Sequence, residues 1–529
     1  MIHWLKTNTT KILPSIIILG CTIPPISICW DAYIIPKWYG GITAIVICIL
    51  FYQIKAIREV KPTEWLFGMH IAAMVGIFFQ AFYITIGYTE VWANQESFII
   101  GTFDTPAGLA LTICLLLPFV LLGLKKALVS SGMKHTCLCY CAIFAGCVLV
   151  ILSQSRTGLI ALSLEGIICL LSSNVKRTAK IVIVIFIFVC TCTFVLFSKQ
   201  TSSNGRAFII EQTVLLIKEK PLTGHGIHGF SKEYMKRQEQ YFKSHPDSET
   251  SILADEIKHP LNEFLLIWVN YGIGGLLVLS LSIILPIIIF RSHNLAWMIN
   301  GTIFIFCLFS YPLNYPMTWG FLIIGNAMAL YGLFSFDFRK VIRGLGAILI
   351  LSSAIVLPVD IIHSKAHDFI RRHGYSHALV AYNQGNNIFK TFPFNLAYPF
   401  RCRQFDYNHG HLLYVTGHLK EARNKIIECF KYSNGYNLHL LTGDICLKQE
   451  DYDCAITNYQ SAHNMCPVRF APLSGLLQVY QQKGDTIKAD SIAKTISQKY
   501  VKVQSVDIQI IKSEAEEWIK HRTAISSMQ

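Results

Sequence analysis

Charged side chains are scarce in this 529-residue chain, where aspartate, glutamate, lysine and arginine together make up only 15%. A soluble globular protein carries about 25%. This shortage, with a hydrophobic content of 53% and a mean hydropathy of +0.44, excludes an ordinary soluble enzyme. It also excludes a disordered chain, which needs low hydrophobicity and high net charge. The composition therefore indicates a membrane domain with a soluble remainder.

Two further signals are lacking. No small-residue cleavage site follows the first apolar segment, so we interpret that segment as a retained anchor and not as a signal peptide. Metal-ligand spacing is lacking as well, because Cys137, Cys139 and Cys141 stand at i, i+2 and i+4 and no histidines follow them. We expect no metal site and no cofactor.

Long apolar runs are abundant instead. A bilayer crossing needs about 20 mostly apolar residues, and residues 1–359 contain about eleven such segments. With a cytoplasmic N-terminus, the short inner loops hold 15 basic residues and the short outer loops hold two, Lys37 and Arg156. Because basic loops favour the cytoplasmic side, we predict an all-α polytopic membrane protein with its N-terminus inside and its C-terminus outside. The same bias explains much of the net charge of +14, so we expect no nucleic-acid partner.

Two long polar stretches then fall outside the membrane: a large loop over residues 199–260 and everything after residue 360. Between 405 and 500, three similar passages end 33 and 34 residues apart, at Ala422, Ala455 and Ala489. Tetratricopeptide repeats have a 34-residue period. We predict such repeats and a capping helix over 405–529, preceded by a connector over 360–404 that has room for one degenerate repeat. Repeats of this kind usually present a surface to a protein partner, or they only brace the membrane domain.

Several single residues keep open interpretations. Glu165, inside an apolar segment, is a functional candidate by default. Alternatively, it satisfies a local hydroxyl or pairs with a cation in the bundle. His70 is a satisfied interior histidine more often than a functional one. The tail holds five cysteines, which an oxidising compartment could pair, although we favour buried thiols: Cys402, Cys429, Cys446, Cys454 and Cys466.

The first polar motif on the outer face is SQSRTGLIAL, residues 153–162. Arg156 stands between two apolar runs at the outer end of a crossing. It could snorkel to lipid head groups. The outer short loops are otherwise almost free of basic residues. The more specific hypothesis is therefore that Arg156 binds an anion.

The second motif is NGRAFIIEQTVLLIKEKPLTGHGIHGF, residues 204–230. Apolar residues at helical spacing predict a helix that Pro221 ends, followed by a turn with Gly224 and Gly226. Arg206 is predicted in the first helical turn, where the helix dipole disfavours a cation. The alternatives are a ligand-binding arginine and a solvated one.

The third motif is KHPLNEFLLIWVNYGIGGLL, residues 258–277. His259, Asn262 and Glu263 stand at i, i+3 and i+4, so we predict that one helical face carries all three. A histidine with a carboxylate neighbour can serve as a general base. A capping histidine and a plain interfacial cluster remain alternatives.

The order of these motifs resembles the O-antigen ligase-like family of polytopic glycosyltransferases, over roughly residues 95–335. The family includes O-antigen ligases, certain polymerases and pilin-type O-oligosaccharyltransferases. The resemblance implies metal-independent transfer of a glycan from undecaprenyl diphosphate at the periplasmic face. It implies functional roles for His259, Arg206 and Arg156. Residues that could orient the histidine or contact substrate are Asn262, Glu263, Gly224 and Gly226. The match is weaker at GTFDTPAGLAL, residues 101–111, which departs from the family pattern near Asp104.

The acceptor is left open: a lipid A-core sugar, a protein hydroxyl, or a growing lipid-linked glycan as in a polymerase. A transporter would need polar residues at the membrane midplane, and a membrane scaffold would make the arginines and the histidine dispensable. Deletion of residues 366–529 is expected to reduce acceptor delivery or stability more than donor chemistry.

Overall fold

The chain is helical throughout its described part. The computed structural model describes residues 2–22, 34–52, 62–91, 99–130, 133–197, 200–334, 338–372, 374–396 and 398–528. Within these ranges there are twenty-one α-helices, three short 3-10 helices and no strand. The predicted all-α fold is confirmed.

The helices follow in this order: α1 (Ile2–Thr22), α2 (Ile35–Tyr52), α3 (Pro62–Val91), α4 (Pro106–Ser130), α5 (Met133–Leu152), α6 (Arg156–Leu171), α7 (Arg177–Phe197), α8 (Gln200–Glu219), α9 (Gly229–Ser244), α10 (Glu263–Ile289), α11 (Asn294–Phe309), α12 (Pro316–Phe334), α13 (Phe338–Arg372), α14 (Tyr375–Phe389), α15 (Tyr398–Val415), α16 (Leu419–Cys429), α17 (Tyr436–Lys448), α18 (Tyr452–Met465), α19 (Ala471–Lys483), α20 (Thr486–Gln498) and α21 (Val506–Met528). Short 3-10 helices lie at Glu249–Leu253, Pro312–Asn314 and Phe394–Leu396.

The chain divides into two compact units. The first, called the membrane unit, comprises Met1–Lys199, Leu261–Phe264 and Leu277–Ser364. The second, called the loop-and-tail unit, comprises Gln200–Pro260, Leu265–Leu276 and Lys365–Gln529.

Four helices of the described residues are long and apolar enough to cross a membrane. They are Gly68–Ile86 within α3, Pro106–Val129 within α4, all of α5, and all of α10. Two shorter apolar helices, Ile12–Thr22 and α11, accompany them. These helices make the chain a multi-pass membrane protein. Several of the eleven predicted crossings include residues outside the described ranges, such as 23–30, so that number stays a prediction.

Helix α4 forms the centre of the membrane unit. Nearly all its residues from Leu109 to Val120 are buried, because α4 packs against α3, α5, α6 and α11. Across this core, buried Glu165 of α6 accepts a hydrogen bond from the hydroxyl of Thr302 at 2.9 Å. This contact agrees with the alternative in which Glu165 meets a local hydroxyl, and the second carboxylate oxygen, Oε2, is buried without a hydrogen-bond partner among the described residues.

Three helix pairs, α15–α16, α17–α18 and α19–α20, form the tail, and α21 packs against their end. The three alanines that mark the repeat period are all fully buried: Ala422, Ala455 and Ala489. The backbone adopts a left-handed conformation at the turn of each pair, with φ of +83° at Gly417, +61° at Glu450 and +75° at Gly484. The helical repeat thus has the predicted period. Its tetratricopeptide identity stays a prediction.

The tail cysteines depart in part from expectation. Cys446 at the end of α17 forms a disulfide with Cys454 in α18, so the preference for thiols was wrong for this pair. Cys429 and Cys466 are buried free thiols, as predicted. The spacing of eight residues spans one turn between antiparallel helices, and this brings the two cysteines together.

The large loop and the tail share one hydrophobic core. Residues of α8, α9 and α10 pack with residues of α17 and α18 in a single buried cluster that includes Leu216, Phe230, Tyr234, Val269, Tyr436, Ala462 and Met465. Polar contacts reinforce it. The side-chain amide of Gln238 donates to the backbone oxygens of Met465 at 2.7 Å and Asp255 at 3.0 Å. The loop is therefore an ordered part of a larger body, as its helical periodicity predicted.

Acidification is expected to destabilise this unit through two histidines, His409, which is buried, and His463, which is half-buried. Burial, with a smaller contribution from a nearby lysine, lowers the pKa of His409 to about 4 and that of His463 to about 4. An unfolded histidine has a pKa of about 6.5. Above pH 6.5 both histidines are neutral in the folded and the unfolded state, and the free energy of unfolding is at its full value. As the pH falls from 6.5 towards 4, only the unfolded histidines take up protons, and the free energy of unfolding decreases by up to about 1.4 kcal/mol per pH unit for each histidine. Thermal unfolding of the whole protein between pH 7 and pH 5 measures it, and the His409→Gln/His463→Gln variant should show a flatter dependence.

Candidate functional site

Arg156 is the first residue of α6 and is half-buried. The preceding Ser155 caps the helix, since its hydroxyl accepts from the backbone N–H of Gly158 at 3.1 Å. A Cβ on Gly158 would meet the side chain of Ala110, so this glycine allows α4 and α6 to approach closely. The helix dipole disfavours a cation in a first turn. Arg156 therefore stands at a helix N-terminus against its local electrostatics, as expected of a residue kept for an anion.

Arg206 lies in the second turn of α8, because this helix begins at Gln200. The prediction that Arg206 occupies the first turn was wrong, and the argument from the helix dipole applies to Arg156 instead. The predicted inner face of the helix is confirmed: Phe208, Ile209 and Gln212 are buried. Arg206 is half-buried.

His259 does not lie on a helix. The predicted helical face of His259, Asn262 and Glu263 was wrong, since α10 begins only at Glu263. Two backbone features explain the difference. Pro260 disfavours the helical conformation for the residue before it, and Leu261 has a left-handed φ of +54°. His259 is thus half-buried in an extended segment that leads to α10.

Asn262 and Glu263 anchor the start of α10. The amide of Asn262 donates to the backbone oxygen of Leu308 at 3.0 Å. The carboxylate of Glu263, only 2% exposed, accepts from the backbone N–H of Leu313 at 3.2 Å. Both side chains therefore fix the connection between α11 and α12, a role that the sequence alone did not show.

Helix α10 is interrupted at Gly272, whose φ of +67° and ψ of −164° are not helical. The segment 221–230 closes this interruption. The backbone N–H groups of His225 and Gly226 donate to the oxygens of Val269 and Asn270 at 2.7 and 2.9 Å. In the other direction, the N–H of Ile273 donates to the oxygen of Pro221 at 3.0 Å. The glycine-rich turn thus satisfies backbone groups that the broken helix leaves without helical partners.

The two glycines predicted to bind substrate have a structural reason to be glycine. A Cβ on Gly224 would lie 2.6 Å from the backbone of Asn270 and of Gly272, and Gly224 has a φ of +69°. Gly226 has a φ of +91° and faces open space. Asn270 fixes the same turn, because its side-chain oxygen accepts from the N–H of Phe230 at 2.9 Å. Substrate contact by the glycines stays a prediction.

The motif at 101–111 contains a polar cluster for which the sequence predicted no role. The hydroxyl of Tyr315 donates to Asp104 at 2.6 Å and lies 3.1 Å from the hydroxyl of Thr105. Lys37, fully buried, lies over the ring of Phe103 at 3.8 Å. The signal was present in the sequence, since Lys37 is one of only two basic residues of the outer short loops.

The structure also brings together three side chains that could hold a metal ion, an arrangement that the sequence did not show. His70, His135 and Cys139 of the membrane unit place their ligating atoms within 4.8 Å of one another. In the tail, the ligating atoms of Cys446, Asp451 and Cys454 also lie within 4.8 Å of one another, but the two cysteines are joined in a disulfide. The expectation of no metal ligands around Cys139 rested on the residues that follow it, whereas the histidines precede it.

The predicted site residues fall into both units. Arg206, Gly224, Gly226 and His259 belong to the loop-and-tail unit, and Arg156, Asn262 and Glu263 belong to the membrane unit. Chemically they supply two guanidinium groups, which suit phosphate, and an imidazole, which suits proton transfer at neutral pH.

The chain was compared with known protein families and with curated proteins. No curated protein matches the chain. A family model described as O-antigen ligase matches residues 141–280, a segment that contains all seven predicted site residues. This match supports glycosyl transfer of the ligase or polymerase type. Over residues 141–280 the chain is therefore similar to the O-antigen ligase family.

Proposed function

We propose that this protein transfers a glycan from undecaprenyl diphosphate to an acceptor hydroxyl at the periplasmic face of the inner membrane. The observation that carries the proposal is the O-antigen ligase match over residues 141–280. Every residue to which we give a role lies inside that segment.

The proposed reaction is a single displacement at the anomeric carbon. The acceptor oxygen bonds to that carbon while the bond from the carbon to the diphosphate oxygen breaks, which inverts the configuration. His259 accepts the proton of the acceptor hydroxyl. Arg156 and Arg206 hold the negative charge that grows on the leaving diphosphate, since guanidinium groups match phosphate oxygens and stay charged at any working pH. No metal is needed for these steps.

Two features of the loop support a positioned histidine. Pro260 and the left-handed Leu261 limit the conformations of the segment that leads from His259 to α10. Asn262 and Glu263 then fix the first turn of α10 through the backbone of Leu308 and Leu313. We propose that these two residues orient His259 by fixing the segment that follows it, and that Gly224 and Gly226 shape the substrate site.

The disulfide supports the proposed orientation. Disulfides persist in oxidising compartments such as the bacterial periplasm and are rare in the cytosol. The pair Cys446–Cys454 therefore favours a periplasmic tail. It agrees with the excess of basic residues in the predicted inner loops, which is an independent argument.

The tail offers a surface for an acceptor or a protein partner. A cavity of 360 Å³ opens between the helices of neighbouring repeats and is lined mainly by polar residues, among them Tyr414, Asp444, Lys448, Glu450 and Gln478. A polar groove of this kind favours a protein acceptor or scaffold partner over an apolar ligand. Lipid A-core and a growing lipid-linked glycan are the other acceptors that the assay must include.

His259→Ala and Arg206→Ala are each expected to lower transfer by about 10²–10³-fold, the usual cost of losing one group that stabilises developing charge or moves a proton. The measurement is transfer from a lipid-linked glycan in reconstituted membranes, with lipid A-core, periplasmic proteins and lipid-linked glycan as acceptors. His245→Ala and Lys218→Ala are matched controls, because both are exposed residues of the same loop. They should keep activity near that of the wild type.

The labelled product identifies the acceptor class, and a ladder of glycan lengths would indicate a polymerase. Transfer at the wild-type rate by both folded variants would overturn the site assignment. If none of the three acceptors is labelled by the wild type, the transferase itself is overturned in favour of a scaffold or a transporter.

A further inference from the structure

Three side chains from two helices converge at one end of the membrane unit. His70 of α3 and His135 of α5 approach through their Nε2 atoms at 3.0 Å. The thiol of Cys139 lies 3.8 Å from the same His70 nitrogen. His70 and Cys139 are buried and His135 is half-buried. The three ligating atoms lie within 4.8 Å of one another.

These separations are those of ligands around one metal ion. Zinc binds histidine nitrogen at about 2.0–2.1 Å and thiolate sulfur at about 2.3 Å in tetrahedral geometry. Two nitrogens on one zinc then stand about 3.3 Å apart, and a nitrogen and a sulfur about 3.6 Å apart. The observed N–N distance of 3.0 Å is about 0.3 Å shorter than the first value, and the observed N–S distance of 3.8 Å is about 0.2 Å longer than the second.

The helices hold the three groups in place. His135 and Cys139 stand at i and i+4, so both point from one face of α5, a spacing that also places paired zinc ligands in helical metal sites. On α4, a Cβ at Gly123 would overlap the ring of His70. The glycine leaves the room that the imidazole occupies, with its Nε2 edge towards α5.

We propose that His70, His135 and Cys139 bind one zinc ion that cross-links α3 to α5. The three side chains supply an N₂S ligand set, and water or a further ligand completes the tetrahedron. The predicted topology puts this end of α5 on the cytoplasmic side, where thiols stay reduced and such clusters bind metal more often than they form disulfides.

The site is separate from the proposed transfer chemistry. From His135 to the end of α5 the helix rises roughly 26 Å, and Arg156 follows only after that end. The zinc therefore has a structural role, and the transfer reaction stays metal-independent. The proposal does not rest on the assignment of His259 or the arginines.

The test is the zinc content of full-length protein purified without a polyhistidine tag. We expect about one zinc per chain in the wild type and at least a tenfold lower content in His135→Ala/Cys139→Ser. Cys137→Ser and Cys141→Ser are matched controls, because both residues are exposed on the same helix. They should keep the metal. His135→Cys keeps a ligand at this position and should retain zinc, which separates loss of a ligand from loss of the fold.

Cobalt in place of zinc gives a second measurement. A thiolate-to-cobalt charge-transfer band should appear in the wild type and in Cys137→Ser and be absent in Cys139→Ser. Wild-type protein that binds no zinc after incubation with the metal and washing would overturn the proposal and leave a hydrogen-bonded histidine pair. Zinc that is retained equally by His135→Ala/Cys139→Ser, or loading by copper(I) alone, would also overturn it.

Discussion

Gly272→Ala is expected to disrupt the loop-and-tail unit. Gly272 combines a φ of +67° with a ψ of −164°, a backbone region that is essentially restricted to glycine and costs other residues about 1–3 kcal/mol. A Cβ there would also overlap the backbone of Leu222 and lie 2.8 Å from the nitrogen of Thr223. Since backbone cannot move aside as a flexible side chain can, the cost includes the hydrogen bonds between segment 221–230 and α10. We expect a loss of at least about 3 kcal/mol.

Gly274 supplies the control for this prediction. It lies two residues further along α10, and a Cβ added to it meets nothing within 4 Å. Gly274→Ala should therefore be neutral or slightly stabilising, because alanine is the better helix former by up to about 1 kcal/mol. Thermal unfolding and limited proteolysis of the loop distinguish the two variants. Equal melting of Gly272→Ala and Gly274→Ala would show that the interruption of α10 tolerates a side chain.

Deletion of residues 366–529 is expected to abolish transfer and donor hydrolysis together. The sequence suggested a tail that mainly delivers the acceptor. In the structure, however, Tyr436, Ala462 and Met465 of the tail complete the core that holds α8 and α9. Without them Phe230 and Tyr234 would face water, at a cost of about 1.5–3 kcal/mol for each large side chain. The loop that carries Arg206 and His259 should then lose its order.

A shorter deletion tests this reasoning. Removal of residues 504–529 takes away α21, which packs against the last repeats and not against the core shared with the loop. We expect this variant to keep donor hydrolysis, measured as release of undecaprenyl diphosphate from the lipid-linked glycan. Full hydrolysis by the longer deletion would contradict the bracing role and restore a purely recruiting tail.

Much of the helical framework could be predicted because it follows from local periodicity and turn chemistry. The buried face of α8, its end before Pro221 and the left-handed turns at Gly417 and Gly484 all follow from residues close in sequence. The spacing of the repeats likewise pointed to three alanines that are fully buried in the structure.

What the sequence did not show depends on the backbone or on distant partners. A spacing of i, i+3, i+4 around His259 looked helical, but Pro260 and Leu261 prevent it. The interruption of α10 at Gly272 could not be predicted, since the surrounding sequence is a continuous apolar run. The backbone hydrogen bonds that stabilise the interruption come from a segment about 50 residues earlier in the chain. His70 and His135 lie 65 residues apart in sequence, so only the packing of α3 against α5 brings them together.

The core shared by loop and tail also sets an order of events during synthesis. Phe230 and Tyr234 leave the ribosome some 200 residues before Tyr436 and Met465, which is roughly 10–40 s at about 5–20 residues per second. During this interval part of the apolar surface of the loop is uncovered. The loop can complete its fold only when α17 and α18, the second repeat pair, have been synthesised and have packed against it. A chain that terminates before α17 and α18 is therefore expected to leave this apolar surface exposed to chaperones and proteases.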